Sequence, residues 1–332
     1  MKKNISIAVI TYNSEKTVLE TLNSIATQTY GTDFIELIIS DDGSVDNTIG
    51  VIDEWLIKYG DNFNKVIFIK NENNLGVSKN INMAWRASTS EWIKTVAGDD
   101  ILLPNCIADN VAFLAKESDV SNIGAVFSLL QIFSADSSLK KRYIGVAPSR
   151  VYLNFFKLTP NEQYSYLKEH GIPMAPSSFI QRSALISVNY ADERFRLIED
   201  YPLWLKMSQH GYSLRFLDKN TVMYRKSESI SSSQSKIINE NFLYEVSLID
   251  ELIIFPKLSK RDFFFKIRKR LWSKLMRYIV RIFDNKKSVY SDALVMVINF
   301  LKPGFISFQM YKMKLHLISK LPMNINEGKR KY

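Results

Sequence analysis

The sequence holds one cysteine, Cys106, and three histidines among 332 residues. A single thiol forms no intramolecular disulfide, and no cluster of Cys and His has the spacing of a zinc site. Long apolar runs are missing too. The longest stretch without a charged residue, Val120 to Ala135, is interrupted by Ser, Asn and Gln. Nothing reaches the roughly 18 consecutive apolar residues that a membrane-spanning helix needs. The chain opens MKKNISIAVI, without an extended apolar stretch, so the expectation is a protein of the reducing cytoplasm. A hydrophobic content of 46% excludes disorder.

The net charge of +10 is unevenly placed. Residues 1 to 256 hold 25 Lys+Arg against 30 Asp+Glu, a net charge of −5, while residues 257 to 332 hold 19 against 4, a net charge of +15. The basic excess belongs to a tail. An acidic body with a basic, aromatic-rich extension reads as a soluble enzyme domain carrying a surface-attachment device, and no nucleic-acid partner is expected.

The first hundred residues alternate as βα units. Ile5 to Ile10 is a nearly continuous β-branched run of the kind a doubly covered parallel strand shows, and Asn13 and Ser14 suit the start of a helix over 15 to 28. Phe34 to Ser40 repeats the strand pattern and ends in the turn signal Asp41-Asp42-Gly43-Ser44, after which Val51, Ile52, Trp55 and Leu56 recur at helical spacing. Lys65 to Lys70 gives a third strand, residues 77 to 88 a third helix, and Glu91 to Ala97 a fourth strand that stops at Gly98-Asp99-Asp100. The spacing predicts a mostly parallel, doubly wound α/β sheet, in which ligands bind at the carboxyl ends of strands. Further on, a helix over 104 to 116, strands over Ile123 to Phe133 and Ser178 to Gln181, and a helix over Asp200 to Gly211 are expected. Lys140 to Pro176 reads as loops and short helices, and Ser229 to Ser235 as a linker into a helical, basic end.

Adjacent carboxylates at a strand end repel, and a divalent cation neutralises them; Mg²⁺ or Mn²⁺ suits such oxygen ligands and completes its shell with phosphates. A solvated Gly-Asp-Asp turn is the plain alternative for Asp99-Asp100, as an Asp-Gly turn is for Asp42. The combination is more specific. Tyr12 offers an aromatic face for a base, Asp42 an acceptor for a base or ribose, and Asp99 with Asp100 a metal for a diphosphate, all at one sheet edge.

Six motifs then appear in order: Ile10-Thr-Tyr-Asn13, Ser24 to Tyr30, Ile38-Ile-Ser-Asp-Asp-Gly-Ser44, Asn74 to Asn80, Trp92 to Asp100, and Ile198-Glu-Asp-Tyr-Pro-Leu-Trp204. With them the chain resembles the family 2 glycosyltransferases, enzymes of the GT-A fold that transfer a sugar from a nucleotide-sugar donor. The resemblance spans about Ile5 to Ser233. It implies that Tyr12 stacks near the donor base, that Asp42 hydrogen-bonds the base, and that Lys79 lies beside the nucleotide. Thr11, Asn13, Glu15, Gly98 and Glu199 are further implied substrate-binding positions. Asp100 would be the main metal ligand, with Asp99 at the ribose and donor sugar and as a second metal position, and Asp200 the general base, although a helix N-terminal Asp favoured by the dipole is the ordinary reading of that position. The common histidine three residues after the tyrosine at Tyr224 is replaced by Ser227.

The resemblance thus implies a metal-dependent inverting transfer, UDP-sugar donors and glycan or polyprenyl-diphosphate-linked acceptors of surface polysaccharide, O-antigen or capsule. A catalytically inactive binding protein and a processive synthase are the rivals. The expected organisation is a GT-A domain over 1–235, with a nucleotide-binding half at 1–100 and an acceptor half at 101–235, followed by a basic helical region over 236–332. On a helical wheel of about 100° per residue, Phe264, Ile267, Leu271, Leu275, Tyr278 and Ile282 share a face beside a ribbon of Lys266, Arg270, Lys274, Arg277 and Arg281. That pattern predicts peripheral attachment to an anionic membrane surface.

Overall fold

The computed structural model describes residues 2–135, 141–172, 174–226 and 235–320. Its centre is one nine-stranded mixed sheet. β1 (Ile5–Thr11), β2 (Ile35–Asp41), β3 (Lys65–Lys70) and β4 (Trp92–Ala97) are joined by α1 (Val18–Ala26), α2 (Thr48–Tyr59) and α3 (Val77–Ala87). These four strands pair in parallel in the order β3-β2-β1-β4. After β5 (Ile101–Leu102) and α4 (Cys106–Leu114) come β6 (Ile123–Ala135), β7 (Lys141–Ala147), α5 (Pro160–Glu169), β8 (Phe179–Gln181), α6 (Arg182–Ser187), α7 (Asp200–Gln209) and β9 (Ser213–Arg225). β8 inserts antiparallel between β4 and β6, and β9 runs parallel to β6.

Strand alternation sorts the core onto two faces. Ile5, Ile7 and Val9 of β1 join Leu37, Ile39 and Val96 under α1, α2 and α4. Ala8, Ile38, Ile93 and Phe127 face α3 and α7, where Trp85 and Trp204 fill the layer. Cys106 is wholly buried in the first of these layers.

Two strands were not foreseen from the sequence. β9 crosses the polar run Asp218-Lys219-Asn220 and absorbs it where its register against β6 shifts. β7, inside the region read as loops, pairs with β6 at the sheet's margin. α5, foreseen only as a short helix, starts with a complete capping box between Thr159 and Glu162, with Pro160 at its first position.

Beyond the expected linker, α8 (Glu240–Ile249) leads through a short π-turn to α9 (Phe263–Ile282), α10 (Val289–Asn299) and α11 (Phe305–Lys320). Ile249, Ile253, Ile254 and Phe255 belong to the same buried layer as Trp204. Leu243, Trp272, Met276, Ile279 and Ile298 form a smaller core among α8, α9 and α10. The linker's residues 229–234, Ser227 and the tail beyond residue 320 lie outside the described residues. Among those described, no helix is long and apolar enough to cross a membrane.

Candidate active site

The parallel register sets Thr11 beside Asp41, and Ile10 beside Ala97, at one edge of the sheet. Hydrogen bonds stitch the strand ends together. Thr11 Oγ1 donates to Asp41 Oδ2 at 2.7 Å, and Ser44 N donates to Asp41 Oδ1 at 2.8 Å. Asn13, in the left-handed region at φ 50°, receives Val45 N on its side-chain oxygen at 3.0 Å. The exposed Glu15 receives Asn47 N at 3.4 Å. Between them Tyr12 stands 47% exposed, its ring free to meet a planar ligand. Thr11, Asn13 and Glu15 therefore shape the turn that presents Tyr12.

Asp42 does more than its sequence position suggested. It is buried, and its two oxygens accept Leu75 N at 2.8 Å and Gly76 N at 2.9 Å, closing the turn after β3 beneath the site. Oδ1 also receives Asn71 Nδ2 at 3.5 Å, while Oδ2 keeps a second lone pair for a ligand N–H or hydroxyl. Lys79 is exposed in the first turn of α3, on the side of Glu193.

Gly98 is packed where a side chain has no room. A Cβ there would lie 2.8 Å from Thr11 Cγ2 and 3.0 Å from Ser14 Oγ. Its amide donates to Ile10 O at 2.9 Å and its carbonyl accepts Thr17 Oγ1 at 2.8 Å, which fixes the turn bearing Asp99 and Asp100. Asp100 is 2% exposed and accepts Arg225 N at 2.9 Å. Burial, then the charge of Asp99, lifts its carboxyl to about 8; burial raises Asp99 as well. Burial thus disfavours the charged form of both carboxyls, and a cation bound between them would restore it. Among the described residues no group of three or more His, Cys, Asp or Glu is arranged to hold a metal, so among them the turn after β4 offers the pair Asp99 and Asp100. That set fits a hard divalent ion that takes its remaining oxygens from phosphate and water.

Two supporting residues were not singled out from the sequence. Arg225, at the end of β9, donates Nε to Asp99 O at 2.8 Å, pairs with Glu20 and stacks its guanidinium 4.7 Å from the Phe133 ring centroid. Lys94, wholly buried in β4, donates Nζ to Pro176 O at 2.6 Å and Ser178 O at 3.2 Å, and burial pushes it down to about 8. A lone lysine inside Trp92-Ile-Lys-Thr-Val-Ala97 was the available signal. It ties the strand that bears the aspartates to the turn before β8.

Glu199 and Asp200 open α7. Asp200 Oδ1 accepts Tyr201 N at 2.7 Å, as a helix N-terminal aspartate does. A dipole alone would hold such a carboxyl low. Burial wins here, lifting Asp200 to about 6. Glu199 is lifted to about 8 by burial, then by the charges of Asp200 and Glu245. A proton acceptor poised near neutrality is what base catalysis calls for. The segment just before this pair reaches the turn after β3, since Arg196 donates to Asn74 O at 3.1 Å and to Asn74 Oδ1 at 3.3 Å.

Residues 6–185 match the profile of the family described as Glycosyl transferase family 2. Among similar proteins, the poly(ribitol-phosphate) beta-N-acetylglucosaminyltransferase TarS of Staphylococcus aureus is 26% identical over 244 residues, 73% of this chain but 39% of TarS. WfaP of Escherichia coli, named a UDP-Glc:alpha-D-GlcNAc-diphosphoundecaprenol beta-1,3-glucosyltransferase, is 26% identical over 235 residues, 70% of this chain and 81% of its own. The crystal structure of S. aureus TarS 1–349 in complex with UDP-GlcNAc superposes with a TM-score of 0.58 at 20% identity, covering 94% of this chain and 88% of that one. The fold is GT-A, and the chain belongs to glycosyltransferase family 2.

Proposed function

We propose that this glycosyltransferase moves one sugar, with inversion, from a nucleotide-diphosphate sugar, a UDP-sugar by preference, to a hydroxyl of a glycan or polyprenyl-diphosphate-linked acceptor in surface-polysaccharide synthesis of the O-antigen or capsule type. The observation that supports the reading is the Asp99-Asp100 pair just past β4, on the sheet edge where the ends of β1 and β2 carry Tyr12 and Asp42. Asp99-Asp100 closes β4, and the segment leading into Glu199-Asp200 bonds through Arg196 to the turn that Asp42 holds. The relative WfaP, whose name specifies a UDP-sugar donor and a diphosphoundecaprenol-linked acceptor, supports the choice of substrates.

In this reading Tyr12 stacks on the base and Asp42 receives a base or ribose donor. Lys79 and the Gly98 turn flank the nucleotide. Asp100, with Asp99, would hold Mn²⁺ or Mg²⁺, which when bound supplies a Lewis acid for the departing diphosphate. Asp200, ionised above pH 6, takes the proton of the acceptor hydroxyl as that oxygen attacks the anomeric carbon from the side opposite the leaving group. Glu199, largely protonated at neutral pH, is available as a hydrogen-bond donor to the sugar or the acceptor.

The same proposal includes peripheral attachment to the inner face of the cell membrane. Phe264, Tyr278 and Ile282 of α9 are 76%, 62% and 61% exposed, with Ile267 and Leu271 also open, whereas Trp272, Met276 and Ile279 are the residues that turn inward. Lys274, Arg277 and Arg281 are exposed beside this stripe, and Arg270 pairs with Glu251. Tyr290, Leu294, Met296 and Val297 of α10 add further open apolar surface. An uncovered apolar stripe edged by cations suits an anionic lipid surface. The catalytic proposal is tested by incubating the protein with UDP-, GDP- and dTDP-sugars in Mn²⁺ or Mg²⁺ and measuring released nucleotide. Metal-dependent release from at least one donor is expected; none from any donor would remove it.

A further inference from the structure

Glu245 stands on α8, in the C-terminal helical region over 236–332, and its carboxylate binds amides of the segment before α7. It is 7% exposed. Oε1 accepts Arg196 N at 2.8 Å, and Oε2 accepts Leu197 N at 2.9 Å and Ile198 N at 3.0 Å, with a longer bond of 3.2 Å from Leu197 N to Oε1. Three consecutive amides converging on one carboxylate form an anion nest built from charge-assisted bonds. Residues 192–199 are irregular, outside any helix or strand, so no ladder would otherwise satisfy these amides.

The segment so held matters on both sides. Its next two residues are Glu199 and Asp200. Its first, Arg196, bonds Asn74 and packs on Gly76, where a Cβ would come within 3.0 Å of Arg196 Cβ and 3.1 Å of Arg196 O. Gly76 and its neighbour Leu75 are the residues whose amides Asp42 receives.

We infer that Glu245 is a positioning residue for the transfer: by gathering the amides of residues 196–198 it fixes the segment that carries Glu199 and Asp200 against the turn after β3, making α8 part of the active site's framework. The inference rests on the reading of Asp200 as the base. A base displaced by about 1 Å costs on the order of 10²-fold in rate, while donor contacts made elsewhere are kept.

The test compares Glu245→Gln and Glu245→Ala with wild type in the full chain. It measures kcat and donor KM by nucleotide release, thermal unfolding, and backbone hydrogen exchange of residues 195–199. Gln keeps the shape and one acceptor oxygen but turns an N–H₂ toward the amides; Ala keeps no acceptor. The expected order of kcat is wild type, then Gln, then Ala, with Ala down at least about tenfold and donor KM within about threefold. Exchange at 195–199 should quicken in the same order. If Ala does not fold, Gln carries the test, with a partial loss of kcat expected. A folded variant with wild-type kcat and unchanged exchange overturns the inference, as does a loss seen only in thermal stability or only in donor KM. Failure of the base assignment is distinguishable: Asp200→Asn would then keep its turnover while exchange at 195–199 still quickened in the Glu245 variants.

Discussion

The pH dependence of turnover is the most telling consequence of the half-buried Glu199-Asp200 pair. Asp200 must be ionised to accept a proton, and burial has moved it from the ordinary 3.8 to about 6. The ionised fraction is then about nine-tenths at pH 7, one half at pH 6 and one-tenth at pH 5, so kcat should fall about tenfold for each unit below the break. A carboxylate at its ordinary value would leave turnover flat through that range. Glu199 loses its proton only near 8, in part because Asp200 is already charged. Glu199→Gln should therefore leave the break near pH 6, whereas Asp200→Asn should abolish it and lower turnover by about 10² to 10⁴. The assay is initial-rate nucleotide release between pH 4.5 and 8 at saturating donor. Turnover that stays flat down to pH 4.5 would refute the reasoning. A break lost in Glu199→Gln but kept in Asp200→Asn would move the base to Glu199.

Asp100→Ala should abolish transfer and chelator should inactivate the wild type, while the fold survives, because the variant removes a carboxyl that burial already disfavours; full activity in excess EDTA contradicts the metal assignment. The same burial makes Glu199 a cost to stability. Its folded value of about 8 lies above the ordinary 4.5, so the native state binds the proton more tightly and loses stability as pH rises from 4.5 to 8. Glu199→Gln should then stabilise the unliganded protein at pH 7 by about 1 to 3 kcal/mol, read as a raised unfolding midpoint, and an unchanged or lowered midpoint would count against it. For the membrane, the full chain should co-sediment with anionic vesicles and release in part at high salt, while a chain lacking residues 257–332 should not; equal, negligible binding of both would end that proposal.

Much of residues 1–100 was legible because each strand announces itself. Ile5 to Ile10, Phe34 to Ser40 and Glu91 to Ala97 are short apolar runs closed by polar turns, and the observed strands differ from them by a residue or so. The carboxylates at their ends could be placed on one edge from the alternation alone. The stretch from residue 101 onward was harder. β9 carries Asp-Lys-Asn in its middle, a local turn signal that pairing with β6 overrides, and β7 sits at a margin where no apolar alternation is demanded. Arg225 and Glu245 were beyond local reading. Their value depends on closures across 126 and 47 residues, to Asp99 and Ile198, which no spacing rule reports. On α9 the wheel gave both faces, but which one turns inward is decided by Leu243 and Ile298 of its neighbours.

The central claim is a single displacement, with the base facing the leaving diphosphate across the sugar. It is tested most directly by the anomeric configuration of the first-formed product. With an α-linked nucleotide sugar that the wild-type protein turns over, proton NMR in the first minutes should show the β-anomer, before mutarotation. An α-anomer as the first product would contradict the account, because a single displacement from the face opposite the leaving group inverts the anomeric carbon.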